Sequence, residues 1–341
     1  MKRCGDIFEK IVDINNLRLA HQKARKGKRH YKEVQIIDKN VDYYLSEVKN
    51  MLENGSFTTS AYDVYTIKDR GKEREIHKLP YYPDRIIQWA IMLQIEEVFI
   101  KHFIYDTYAA IPKRGMHLAL KRLHNSMDHR EDTKYCLKID VKKFFPNINT
   151  AILKQMIRKK FKDKDLLWLL DDIIDSCKGV PIGNYTSQYF GNFYLSYFDH
   201  WMKEEKKIKH YFRYMDDVII LHHDKNFLHQ IRREIEIYLH DNLNLILKEN
   251  WQVFPTYVRG VDFVGYRSFG DYTLLRKSTA KNLKRKMRKI QKRNKLNKTD
   301  VNSVMSYKGW IKHCNSYNLE TKYIKPLLRR CEDEVKKYGT T

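Results

Sequence analysis

Apolar positions along the chain recur at helical spacing in some stretches and cluster at strand spacing in others. Leu45, Val48 and Leu52 fall on one face of a helix that Gly55 ends. Residues 61–79 read as a β-hairpin: the run Tyr62 to Ile67, a turn at Asp69-Arg70-Gly71, then Arg74 to Leu79, closed off by Pro80 and Pro83. A helical stretch follows from about Arg85 to Phe103, and Tyr135 to Val141 forms a short strand that ends on the carboxylate of Asp140. Ile152, Leu153, Met156 and Ile157 line one face of a helix that starts at Thr150. The breaker-rich loop Gly179-Val180-Pro181-Ile182-Gly183 opens a long helix with Phe190, Phe193, Tyr197 and Trp201 along one side. His210 to Tyr214 and Val218 to Leu221 are two strands joined tightly at Asp216-Asp217. This order predicts an α+β fold with helices on one face of an antiparallel sheet. From Lys277 onward, Leu283, Met287 and Ile290 make an apolar stripe on an otherwise basic helix, packed on one side and facing phosphates on the other. The sequence contains no internal repeat or low-complexity tract.

Composition narrows the picture. The 341 residues are 42% hydrophobic and 13% aromatic, enough for a substantial core divided among two or three packed subdomains. The 66 Lys and Arg against 42 Asp and Glu leave a formal charge of +24. Such an imbalance costs self-repulsion unless a polyanion neutralises it, so nucleic acid is the expected partner. A basic cluster, Lys23 to Arg29, adds a candidate phosphate contact. The five cysteines are scattered, with no CxxC pair and no metal-ligand spacing to histidine, and are expected to be reduced thiols. The start runs into charge without an apolar core, and no run approaches the length that spans a bilayer. A soluble, cytoplasmic protein is expected.

The acidic positions give this basic chain its chemistry. Transfer of a nucleotidyl group by two metal ions about 3.5–4 Å apart needs hard oxygen ligands from at least two chain segments. Asp140 at a strand end, with Asp216-Asp217 at a hairpin turn, could supply them. An Asp-Asp pair alone decides little, since most are solvated turns. Here apolar sequence flanks the pair on both sides, and buried charges are expensive unless paired or bound to metal.

Tyr214-Met215-Asp216-Asp217 resembles the YxDD motif of reverse transcriptases, and Asp140 with Phe144-Phe145-Pro146 resembles the upstream metal motif of the same palm domain. The resemblance implies that Asp140 and Asp216 hold two Mg²⁺ ions, with Mn²⁺ as a substitute, that the carbonyl of Val141 completes one shell, and that Asp217 supports the site. Phe145 matches the steric gate that excludes a 2′-hydroxyl. Lys72 and Arg74 match the fingers hairpin whose basic residue contacts the triphosphate. Phe263, Val264, Gly265 and Tyr266 resemble the primer-grip hairpin, where Gly265 permits close backbone approach. The run Ser306 to Cys314 resembles the thumb of diversity-generating and group II enzymes. Ile182-Gly183-Asn184-Tyr185-Thr186-Ser187-Gln188 fits the IGxxxSQ pattern of diversity-generating retroelement enzymes rather than the QGxxxSP pattern of most relatives. Ile182 then stands where an amide would hydrogen-bond the incoming nucleotide, and its loss weakens substrate discrimination.

The resemblance as a whole implies a right-hand polymerase: a basic extension over 1–29, fingers over 30–130, a palm over 131–270 and a helical thumb over 271–341. The expected reaction is RNA-directed DNA synthesis from dNTPs on a template-repeat RNA, with a DNA or RNA primer and adenine-directed errors. A basic, oligomeric accessory variability protein is the expected partner, and the host a bacterium or phage. RNase H, endonuclease and integrase activities are expected from partners. Two features depart from the family pattern. Ile111 precedes Pro112 where an Arg is usual, leaving Lys113 or Arg114, and the offset for the pyrophosphate general acid falls on Trp251 rather than nearby Lys248. Rival readings are a retron-type or antiphage-defence reverse transcriptase, and a non-catalytic RNA-binding or splicing-assistance module.

Overall fold

A computed structural model describes residues 3–69 and 72–338. The chain forms two compact units, each assembled from separated stretches: residues 1–112, 140–209 and 233–250 in one, and residues 113–139, 210–232 and 251–341 in the other.

The first unit is mostly helical. Leu45, Val48 and Leu52 are buried on the helix Val41–Glu53, as their spacing predicts. The helix Ile86–His102 is buried over most of its circumference, leaving the Glu97–Lys101 pair exposed, as expected of an element largely inside a core. Asp63–Asp69 (β1) and Lys72–Lys78 (β2) pair antiparallel, with Tyr65 opposite Ile76. Arg70 and Gly71, at the tip of the expected turn, lie outside the described residues. The helix Thr150–Arg158 begins where Asn149 caps it by accepting from Ile152 N, and it buries Leu153, Met156 and Ile157.

The long helix expected after Gly183 is interrupted. It runs over Tyr185–Tyr194, breaks at Leu195, and resumes over Ser196–His200. The Ser196 hydroxyl donates to Phe193 O at 2.6 Å, a side-chain bond that competes with the helical ladder. Tyr189, Tyr194 and Phe198 are buried along with Phe190 and Phe193, so the aromatic residues fill the core on more than the one side their spacing suggested.

The second unit holds the main sheet. Tyr135–Asp140 (β3), His210–Tyr214 (β4), Asp217–His222 (β5) and Gln252–Pro255 (β6) stand in the order β4-β5-β3-β6, with β4–β5 and β3–β6 antiparallel. Val218 to Leu221 are all buried, which a strand covered on both faces requires. Val261–Phe263 (β7), Tyr266–Ser268 (β8) and Thr273–Leu275 (β9) make a second antiparallel sheet. Its Tyr266 and Leu275 join Leu283, Met287 and Ile290 of the basic helix Lys277–Gln291 in one core. The apolar stripe on that helix is therefore its packed face. The five cysteines form no disulfide, and no helix among the described residues is long and apolar enough to cross a membrane.

His102 adds a pH dependence to the first unit. Lys160 Nζ donates to its Nδ1 at 3.0 Å, which requires that nitrogen to be unprotonated. Burial, followed by the charges of Lys160 and His200, pushes the imidazole from its usual 6.5 down to about 3. Between those limits the unfolded chain binds the proton and the folded chain does not, so His102 supports folding fully above 6.5 and progressively less as pH falls toward 3. Urea unfolding of wild type and His102→Gln at a series of pH values is expected to show a shallower acid loss in the variant; parallel profiles would remove His102 from the account.

Candidate active site

In the first unit the backbone beyond Asp140 is clamped. Lys248 N donates to Asp140 O at 2.9 Å, Lys142 N donates to Ile246 O at 2.8 Å, and Val141 bridges Leu247 between them. The side chain of Lys248 returns to the same residue, with Nζ 2.5 Å from Oδ2 of Asp140. Oδ1 is buried and accepts no hydrogen bond. Leaving a buried carboxylate oxygen unmet is costly unless something else fills the place. That oxygen is a hard donor of the kind that divalent cations bind.

Phe145 is half-buried in the short helix Phe144–Asn147, and its ring lies over Gly191, where an added Cβ would come within 3.0 Å of it. Its carbonyl accepts from Val180 N at 2.9 Å. Gly179, at φ +72°, seats the following loop so tightly that a Cβ would meet Pro146 O at 2.5 Å. At the far end of that loop His77 N donates to Ile182 O at 2.9 Å, and Gly183, at φ +144°, leaves only 2.1 Å between a built Cβ and His77 O. Phe145, Ile182 and Gly183 thus share one backbone framework with strand β2. Arg74 stands exposed on that strand, opposite Ile67. The side chain of Lys72 lies outside the described residues.

In the second unit Tyr214 and Asp217 face each other across the β4–β5 turn. Met215 sits at φ +57°, a left-handed conformation that costs a non-glycine residue roughly 1–2 kcal/mol. Arg213, fully buried, donates from Nη1 to Met215 O at 2.9 Å and braces the turn. Lys138, on the neighbouring strand β3, places Nζ 3.4 Å from Asp217 and donates to Asp262 O at 2.5 Å. Arg276 Nε in turn donates to the Asp262 carboxylate at 2.6 Å. The carboxylate turn is thereby joined to the β7–β8 hairpin. Val264 and Gly265 form the bend of that hairpin at φ +44° and +90°, and Trp310 approaches Gly265 so closely that a Cβ would lie 2.5 Å from its ring. Phe263 and Tyr266 are fully buried, with Tyr266 Oη donating to Trp310 O at 2.9 Å.

Arg213 and Lys138 were not among the residues expected from sequence. A signal existed for each: an arginine inside the apolar run His210-Tyr211-Phe212-Arg213-Tyr214, and a lysine between the buried Leu137 and Ile139.

Comparison with known proteins decides the family. A family model described as reverse transcriptase (RNA-dependent DNA polymerase) matches residues 67–268. The chain belongs to the reverse transcriptase family. It is 24% identical to protein YkfC of Escherichia coli strain K12 over 249 residues, covering 60% of this chain and 65% of that one. It is 26% identical to nuclear intron maturase 4, mitochondrial, of Arabidopsis thaliana over 179 residues, covering 49% and 22%. It is also 21% identical to the group II intron-encoded protein LtrA of Lactococcus lactis over 187 residues, covering 50% and 31%. The chain thus spans less than two thirds of the length of each of these relatives. The apo telomerase structure from Candida tropicalis aligns at a TM-score of 0.50 with 12% identity, covering 79% of this chain and 56% of that one. The fold is that of the α+β, right-hand polymerase class.

Reverse transcriptase domains use divalent metal ions. Among the described residues no group of three or more His, Cys, Asp or Glu side chains is arranged to hold one. The carboxylates nevertheless suit such an ion, because the unmet oxygen of Asp140 is a hard donor and both lysine partners are long, mobile cations.

The Lys138–Asp217 contact generates a prediction. Both side chains are between a quarter and a third exposed, so removing the lysine with Lys138→Met is expected to cost roughly 1–2 kcal/mol, less than a fully buried pair. In a double-mutant cycle with Asp217→Asn the two losses should fall short of additive. Additive losses in urea unfolding would show that the pair does not interact.

Proposed function

We propose that this chain is an RNA-directed DNA polymerase that joins dNTPs to a primer 3′-hydroxyl on an RNA template. One observation carries the reading: Asp140, with an oxygen claimed by no hydrogen bond, ends a strand inside the stretch that matches the reverse transcriptase family. Asp140 and Asp216 are the proposed ligands of two Mg²⁺ ions, with Mn²⁺ as a substitute, assisted by the Val141 carbonyl and by Asp217. Bound divalent ions supply charge stabilisation for the attacking and leaving oxygens. Lys248 and Lys138 hold the carboxylates in place and yield to the ions when these arrive. Phe145 is proposed to exclude a 2′-hydroxyl, Lys72 and Arg74 to meet the triphosphate, and Phe263 to Tyr266 to steady the primer end. In this reading the fingers take 30–130, the palm 131–270 and the thumb 271–341, after the basic residues 1–29.

The finer proposal is a diversity-generating retroelement enzyme that copies a template-repeat RNA with adenine-directed errors, beside a basic accessory protein, in a bacterial or phage setting. Ile182-Gly183 with Ser187-Gln188 supports it. The half-buried Ile182 side chain offers no hydrogen bond to a nucleotide, and contacts of that kind are what separate right from wrong substrates. Two relatives are an intron maturase and an intron-encoded protein, which keeps a splicing-assistance reading as the rival.

Primer extension on a defined RNA with Mg²⁺ and dNTPs, followed by sequencing, separates these readings. Wild type is expected to make cDNA with errors concentrated opposite adenines, Asp216→Asn to lose synthesis by about 10²–10³-fold, a charge-stabilisation loss of the usual size, and Ile182→Gln to err less. Accurate wild-type cDNA would keep the polymerase and remove the retroelement assignment. Absence of synthesis, even with cognate RNA and accessory protein, would favour the splicing-assistance rival.

A further inference from the structure

In the second unit a continuous line of polar contacts runs from the carboxylate of Asp217 to the bend of the β7–β8 hairpin. Its first member is Lys138, whose Nζ stands 3.4 Å from Asp217 and donates to Asp262 O at 2.5 Å. An ammonium group carries three donors, so one lysine can serve both acceptors. The Asp262 carboxylate is held in turn by Arg276, whose Nε donates to Oδ1 at 2.6 Å and whose Nη2 reaches the same oxygen. Arg276 closes the line with its backbone, N donating to Gly265 O at 3.0 Å. Its carbonyl accepts from Ala280 N at 2.9 Å, the first bond of the basic helix Lys277–Gln291. One residue thus fixes the hairpin bend, the helix start and the Asp262 side chain.

Stability of the fold does not account for this arrangement. The side chains of Arg276 and Asp262 are 30% and 37% exposed, and ion pairs so close to water add little to folding. The hairpin is anchored without them, by the buried Phe263 and Tyr266 and by its pairing with β9. What the contacts govern is the bend itself. Val264 stands at φ +44°, an outlier for a β-branched residue, and Gly265 follows at φ +90°. Strained backbone of this kind persists only where its surroundings hold it, and the bond from Arg276 N to Gly265 O is one such hold.

We propose that Asp262 and Arg276 are positioning residues for the primer end, and that through Lys138 they couple the hairpin bend to the state of Asp217. The proposal rests on the polymerase reading, in which Phe263 to Tyr266 steady the primer and the Asp216-Asp217 turn takes a divalent ion. When Asp217 turns to such an ion, Lys138 loses one of its two acceptors and keeps the Asp262 carbonyl. Its charge then bears on β7, beside the carboxylate that Arg276 holds. Coupling of this kind is reciprocal: if a primer at the hairpin strengthens uptake of the ion, the ion strengthens primer binding by the same factor.

Mn²⁺ uptake by the full chain would be followed by electron paramagnetic resonance with and without a DNA primer annealed to an RNA template, in the absence of dNTPs. Binding of the same duplex would be followed by fluorescence anisotropy with and without Mn²⁺, and primer extension assayed on the same preparations. In wild type each ligand is expected to tighten the other about tenfold, within the usual range of such couplings. In Arg276→Gln and Asp262→Asn the factor should fall to near one, with KM for the primer–template raised and kcat at saturation little changed. Arg276→Lys, which keeps the charge, should restore part of the coupling, and melting temperatures check that each variant is folded. An equal factor in wild type and both variants would overturn the proposal, as would no mutual tightening in wild type. Either result with cDNA synthesis intact leaves the polymerase reading standing. Coupling lost in the variants, in a wild type that makes no cDNA, would support the proposal and count against the polymerase reading alone.

Discussion

A partly buried carboxylate at the end of a strand must be met by positive charge, and this requirement acts in each compact unit. Asp140 and Asp217 are each about 30% exposed, at 30% and 29%, and each faces a lysine from its own compact unit. Lys248 reaches Asp140 from a segment that is also bonded to its backbone, so the same few residues fix the strand end and neutralise it. Lys138 does the equivalent for Asp217 and, through the Asp262 carbonyl, ties the Asp216-Asp217 turn to the β7–β8 hairpin. Long flexible cations suit the task, because they can compensate the acids and still withdraw when a divalent ion takes their place.

Close backbone approach is the second device. Gly179 and Gly183 let the 179–183 loop lie directly on the Phe145-Pro146 backbone and on strand β2, where any side chain would collide with a carbonyl oxygen. The loop is thus positioned by main-chain geometry and only secondarily by what its side chains bury. Gly265 plays the same part against Trp310 in the second unit. Because these contacts involve backbone, side chains such as Ile182 can differ between relatives without moving the frame.

Much of the fold was legible in the sequence wherever a single face was buried. The helix over Val41–Glu53 and the stripe Leu283, Met287, Ile290 follow from periodicity alone, and the β1–β2 hairpin, largely exposed along both strands, follows from its turn signals. The aromatic helix after Gly183 was misjudged because its residues are buried on more than one side, and because a serine hydroxyl, invisible to hydropathy, breaks it after Tyr194. Asp140, Asp216 and Asp217 stood out since acids are rare in apolar strands. Lys138 and Arg213 did not, although each is the cation or brace those acids and their turn depend on. In a chain with 66 Lys and Arg, one more basic residue carries little signal until its partner is known.

The central claim is that Asp140 and the Asp216-Asp217 turn are metal ligands whose lysine partners give way to the ion. Mn²⁺ binding to the purified chain, followed by electron paramagnetic resonance as free Mn²⁺ is depleted, tests it without relying on catalysis. The account predicts measurable uptake by the wild type, uptake weakened by either Asp140→Asn or Asp216→Asn, and tighter uptake by Lys248→Met, in which the competing cation is gone. Uptake unchanged by both aspartate substitutions would contradict it.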